Sequence, residues 1–181
     1  MYLLNTRIIL SAIVGTFLFL SACKKSAEPL SYTKEYPEMT FTVDTTSSTG
    51  DMLLGVQAVQ TDVVNYLSEN GFTVNNLKSV KVSSIQIAVI TSGKTLDFFK
   101  KLEVRLSNQG AGNVIFASKE LPDSFTETTT TITPSDVNLA EYFKQGELEF
   151  SFYGRNDLQI LPEPIQMRAK INVQVDARLG N

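Results

Sequence analysis

The chain of 181 residues contains no histidine. That absence removes Ser-His and Cys-His nucleophile pairs and the commonest nitrogen ligand of transition-metal sites. Cysteine occurs once, as Cys23, so no disulfide can form within the chain. A surplus of positive charge is also missing: 16 Lys and Arg stand against 19 Asp and Glu, for a net charge of −3. This mild acidity argues against nucleic acid as a partner, which requires a clustered basic surface. Other chemical signatures fail on spacing. Gly110 and Gly112 lack the Lys and Ser/Thr offsets of a phosphate loop, and no calcium loop of spaced Asp residues is present. Ser-x-x-Lys occurs at Ser21 to Lys24 and at Ser31 to Lys34, without the Ser-Asp-Asn or Lys-Thr-Gly companions of penicillin-binding enzymes. No metal, no cofactor and no catalytic residue is therefore expected.

Long apolar runs are scarce too, and the one that exists is informative. Ile8 to Leu20 is apolar throughout except for Ser11, Gly15 and Thr16. A bilayer core roughly 30 Å thick takes about 20 helical residues to cross, so the run is short for a span. Arg7 precedes it, small residues follow it, and Lys24 and Lys25 stand directly beyond. This is the layout of an export signal; a permanent transmembrane helix fits it less well. The exit, Leu20-Ser21-Ala22-Cys23, resembles the lipobox of bacterial lipoproteins, in which a Leu and two small residues precede a Cys. The resemblance covers this segment alone. It implies cleavage between Ala22 and Cys23, a thioether-linked diacylglyceryl group on Cys23, and acylation of the new amino terminus. The membrane is then a partner through the lipid on Cys23, held stably because each buried methylene contributes about 0.8 kcal/mol and two or three chains act together.

Residue choice after the cysteine bears on destination. Lys24 stands where an Asp would commonly mark retention at the inner membrane, which by analogy suggests the outer membrane. The segment Lys24-Lys25-Ser26-Ala27-Glu28 lacks the acidic cluster that marks surface export in some lineages, so a periplasm-facing domain is favoured.

The organisation expected is a cleaved signal at 1–22, a lipidated cysteine and flexible tether at 23–38, and one domain at 39–181. Cleavage before Cys23 removes Arg7 and no acid, so the side-chain charge passes from −3 to −4. What remains is long enough for a sizeable core. The tether reading rests on Pro29, Pro37 and the absence of helical or strand period between them.

Within the domain, alternation of apolar and polar residues marks strands. Met39, Phe41 and Val43 make the first. Val80 and Val82 fall on even positions but Ile85, Ile87 and Val89 on odd ones, so a β-bulge is predicted at Ser83-Ser84. Leu102, Val104 and Leu106 lead through a glycine-bearing loop, Asn108 to Asn113, into Val114 to Ala117. The threonine-rich run from Phe125 to Thr133, closed by Pro134, reads as an edge strand. Leu148, Phe150 and Phe152 form another. Ile165 to Ala177 alternates from end to end without a fault, the mark of an antiparallel sheet with one wet face. Helical spacing is seen in Val56, Val59, Val63 and Leu67, so a helix is expected near residues 52–69, capped by Asp51 and ended by Asn70-Gly71-Phe72. One helical turn is expected from Thr95 to Lys101, and a short helix at Asp136 to Lys144 with Ser135 as cap. The fold class expected is mainly β: an antiparallel β-sandwich of Greek-key or immunoglobulin-like type with one inserted amphipathic helix.

Glu147 and Glu149 share a strand face, about 7 Å apart, a spacing suited to paired carboxylates in glycoside hydrolysis. The plainer reading pairs this strand with the last one across Gly154 to Pro164, which would give Glu149 a cation, Arg168 or Lys170, as an ordinary cross-strand partner. Phe98-Phe99 and Tyr142-Phe143 read as core residues at turns, or as part of a sugar or partner surface. Asp44-Thr45-Thr46 resembles a short bacterial O-glycosylation motif, and a loop explains it equally well. Two functions stay open: a non-catalytic, lipid-anchored envelope domain for binding, adhesion or assembly, its partner a protein or glycan; and an envelope hydrolase working through two of Asp97, Glu103, Glu141, Glu147 and Glu149.

Overall fold

A computed structural model describes residues 28–45, 49–156 and 161–179. The signal, the lipobox, Cys23, residues 24–27 of the expected tether, and Thr46 of the glycosylation motif lie outside the described residues.

Among the described residues, nine strands form two antiparallel sheets packed face to face: β1 (Leu30–Glu35), β2 (Met39–Val43), β3 (Gly50–Gln60), β4 (Leu77–Val89), β5 (Lys101–Asn108), β6 (Gly112–Glu120), β7 (Thr129–Ile132), β8 (Glu147–Asn156) and β9 (Ile165–Ala177). One sheet runs β1-β9-β4-β7, with β2 beside β1 on the same edge of β9; the other runs β3-β8-β5-β6. From β2 onward each strand lies in the sheet opposite its predecessor, except across the β5–β6 hairpin. The pairs β2·β9, β3·β8, β4·β7 and β5·β6 are nested. The chain is thus one long two-stranded ribbon, folded at β5–β6 and wrapped so that β4 also meets β9 and β5 also meets β8. This is the jelly-roll form of the Greek-key sandwich, not the immunoglobulin order.

The alternation that predicts β9 is the alternation that buries it. Ile165, Met167, Ala169, Ile171, Val173, Val175 and Ala177 all face the other sheet, and the residues between them stay on the outer face. At about 1.5–3 kcal/mol for each large side chain removed from water, this row is a principal source of stability. Phe150 sits at the middle of the opposing layer, with Phe116 at 6.1 Å and Tyr36 at 5.5 Å in edge-to-face contact. The predicted bulge is present: register slips between Val82 and Ser84, and Ser83 Oγ donates to the Asn172 carbonyl at 3.1 Å. β7 is an edge strand, as its threonines suggest.

Four expectations are corrected. The region 52–69 is not one helix. Residues up to Gln60 form β3, and α1 covers only Val63–Glu69, entered through Asp62 in the left-handed region (φ 53°) and not capped by Asp51. Its end is the Schellman turn expected, with Phe72 N–H donating to the Leu67 carbonyl at 2.8 Å and Gly71 N–H to Ser68 at 3.1 Å. Secondly, the domain begins before residue 39. β1 pairs with β9 from Leu30↔Ala177 to Glu35↔Asn172, and β2 resumes at Met39↔Ala169, so the two are one strand broken by a one-residue bulge at Tyr36-Pro37-Glu38. Tyr36 is 2% exposed and belongs to the core. Thirdly, β8 and β9 lie in opposite sheets, so Glu149 does not face Arg168 or Lys170; those cations reach Glu38 at 3.5 and 3.4 Å. Lastly, the helix at 136–144 shortens to α2 (Ala140–Phe143), and 95–101 holds turns in place of a helical one.

Alternating strand direction sorts the connections onto two ends. The chain enters β1 at the end that carries α1, the β5–β6 loop, α2 and the close of β9. The opposite end carries the connections β2–β3, β4–β5, β6–β7 and β8–β9.

Candidate functional site

Glu147 and Glu149 project from the outer face of β8, where their alternation with Leu148 and Phe150 requires them to be. Register fixes their neighbours. Glu149 lies between Ala58 of β3 and Ser107 of β5, and Glu147 lies opposite Gln60. Ser107 Oγ donates to Glu149 Oε1 at 3.4 Å. Above them the β5–β6 loop is held by Asn108, whose Oδ1 accepts from Gly110 N–H (3.0 Å) and Ala111 N–H (2.6 Å) while its Nδ2 donates to the Tyr142 carbonyl at 2.8 Å. Buried Thr61 fixes the other wall: its N–H donates to the Gly146 carbonyl at 2.9 Å and its hydroxyl to the Gln145 carbonyl at 3.2 Å.

These elements frame an open groove of about 630 Å³ at the α1 end of the four-stranded sheet. Gln60, Asn108, Gln109 and Gln145 supply amides, Glu147 and Glu149 supply carboxylates, and among the described residues no Lys or Arg lines it. Such a lining accepts and donates hydrogen bonds under a negative potential, which suits a polyhydroxylated or cationic group. It does not enclose one. Both carboxylates rise from alternate positions of one strand into open solvent, and no other acid of the described residues lines the groove.

The other acids do not join them. Glu103 is 8% exposed on β5 and sits between cations, with Arg105 Nε donating to Oε1 at 2.6 Å and Lys101 Nζ 3.1 Å from Oε2. Burial pushes its carboxyl up, but the hydrogen bonds and charges of Arg105 and Lys101 outweigh burial and hold it below the usual value. Arg105 also covers the Tyr153 ring at 4.0 Å, a cation–π contact across the strand pair. Glu141 is paired with Lys144 on the next turn of chain. Asp97 lies at the far end, in a smaller cleft of about 200 Å³ with Lys94 and Phe98. Phe98, Phe99 and Phe143 are core residues, and Tyr142 is half-buried. Among the described residues no three acids or cysteines converge on a point where a cation could be held.

Sequence reasoning does not find the cluster of Lys101, Glu103, Arg105 and Tyr153. Its signal is available: three charged residues alternate with Leu102 and Val104 on β5, which places them on one face. Nor does it find the exposed apolar side chains Leu53 and Val56, because β3 reads as helix; Ile115 of β6 is exposed on the same outer face.

No family model matches the chain, and no curated protein matches it. Among solved structures, that of infectious bursal disease virus, Gt strain, matches over 88% of this chain and 34% of that one, at 12% identity and a TM-score of 0.41. The VP2 subviral particle of infectious bursal disease virus gives 12% identity and a TM-score of 0.37 over 88% and 35% of the two chains. Tomato aspermy virus matches over 81% of this chain and 79% of that one, at 14% identity and a TM-score of 0.26. The chain spans about a third of the length of the infectious bursal disease virus chains.

Proposed function

We propose that this chain is a lipid-anchored protein of the bacterial cell envelope, whose jelly-roll domain binds a partner and does not hydrolyse one. The observation that carries the anchor is positional. The one cysteine closes an apolar run through Leu20-Ser21-Ala22-Cys23, and the folded domain starts only seven residues later at Leu30. The open groove supports binding over hydrolysis. Glu103 and Glu141 are committed to cations, Asp97 is remote, and Glu147 and Glu149 stand side by side on an unenclosed sheet. The rival reading, a hydrolase using a carboxylate pair, draws on the fact that Glu147 and Glu149 do line one groove. It lacks the opposed geometry, a carboxyl on each side of the scissile bond, that such chemistry uses. A protein or glycan of the envelope is the partner proposed; Lys24 supports the outer membrane, and the lack of an acidic cluster in Lys24-Lys25-Ser26-Ala27-Glu28 supports its periplasmic side.

Mass spectrometry of detergent-extracted protein tests the anchor. The wild type should begin at Cys23 and carry the acyl mass, while Cys23→Ala should keep the segment 1–22 and carry none. A wild-type chain with that segment intact and no acyl mass ends the lipoprotein reading.

A further inference from the structure

We infer that the end of the sandwich bearing Leu30, α1 and Leu179 is a membrane-contact surface, seated on the bilayer that holds Cys23. The inference rests on the anchor reading and deepens it, and a length argument decides it. Six residues, 24–29, separate Cys23 from the first strand residue. Fully extended, seven steps reach about 25 Å, and a flexible segment of that length averages about 15 Å. The sandwich is longer than either: β9, with 13 residues at about 3.3 Å each, runs about 40 Å from end to end. The opposite end, with Ile90 and the β4–β5 and β8–β9 connections, therefore cannot be set end-on against the headgroups by a lipid on Cys23 with the chain entering at Leu30. An anchored domain must present the α1 end or a flank beside it.

The surface at that end suits the occupant. Tyr66 of α1 is exposed and its ring packs against Tyr32 of β1, centroid to centroid 4.0 Å. Leu179 is exposed just past the close of β9, where Arg178 N–H donates to the Asn76 carbonyl at 2.9 Å. Amphipathic tyrosines and an apolar side chain belong at headgroup depth. Exposed Lys78 and Arg178 flank them, in no ion pair among the described residues, and cations so placed are drawn to an anionic surface. Glu28 and Glu69 share this end, and Glu141, Glu147 and Glu149 stand there on the side of the four-stranded sheet, so charge is the lesser term and the tether sets the orientation.

The chain has no tryptophan and a single cysteine, which makes the test direct. Protein beginning at Cys23 is coupled through that thiol to a maleimide lipid in phosphatidylcholine–phosphatidylglycerol vesicles containing dibrominated lipid. Three single-tryptophan variants report on it: Tyr66→Trp and Leu179→Trp at the contact end, and Ile90→Trp at the far end. The first two should lose most of their emission and shift to the blue on coupling, while the third keeps its free-protein spectrum. Either contact reporter suffices if the other variant does not fold. Quenching no greater at 66 and 179 than at 90 overturns the inference. Because the coupling is chemical, the result does not depend on whether cells acylate Cys23, which mass spectrometry reads separately.

Discussion

Gly55 shows how much of this fold hangs on single atoms. It lies on the inner side of β3 next to a bulge at Leu54, and a Cβ there would stand 2.6 Å from the Phe41 ring. That ring cannot retreat, because it is stacked on Phe152 at 4.9 Å. Gly55→Ala should therefore cost about 1–3 kcal/mol, the range for overpacking a filled core, read as a lower urea midpoint at unchanged slope. Glu103 supplies a pH test at the same scale. Its folded-state pKa is depressed below the ordinary 4.5, so the stability it contributes is complete above that value and fades as pH falls through the folded value. Wild type should exceed Glu103→Gln in stability at neutral pH, and the gap should close on acidification below about 4.5. A gap independent of pH would mean that the glutamate acts by packing and not by charge. Residue patterns are legible where one type of side chain fills one face. All seven inward residues of β9 are apolar, and its sequence reveals it to both ends. β3 places Gly55 and Gln57 at inward positions and Val56 at an outward one, so its period of two vanishes and a chance spacing of valines looks helical.

Among the elements, β1 is the one the sequence conceals. Lys34 occupies an inward position there, its ammonium reaching out to Asp62 at 3.0 Å, and Pro37 interrupts the strand within two residues of its end. A lysine facing the core side and a proline both argue against a strand, yet the bulge at Tyr36-Pro37-Glu38 accommodates the proline and resets the parity for β2. Deleting residues up to 38 should then unfold or severely weaken the domain, by about 3 kcal/mol or more, since Tyr36 alone buries a large aromatic side chain. The comparison is thermal or urea unfolding of chains beginning at 28 and at 39. Equal stability of the two would show that β1 is dispensable decoration on the sheet edge. The bulge at Ser83-Ser84 is legible because both halves of β4 bury apolar side chains and the parity change stands out in the sequence.

For the whole molecule, alternation reports which face of a strand is buried but not which strand lies beside it. Most of the strands can be named from their patterns, and the sandwich follows from them. Partners cannot, because nested pairing joins strands far apart in the chain and neighbours in sequence change sheets. The groove inherits this limit: Glu147 and Glu149 are identifiable as outward residues, but Gln60, Ser107 and Gln145 reach them only through the wrapping of the ribbon. The wrapping also governs when the domain can exist. Ser31 donates to Asp176 across 145 positions of sequence, and the first strand and the last are the outer turn of the same ribbon. A chain that emerges amino terminus first, from a ribosome or through a membrane, carries β1 and β2 without their partner until its final strand is free. Completion is thereby deferred to release: passage through a narrow channel meets no finished sandwich to pull apart, and a chain cut short near its end leaves two strands with nothing to close on.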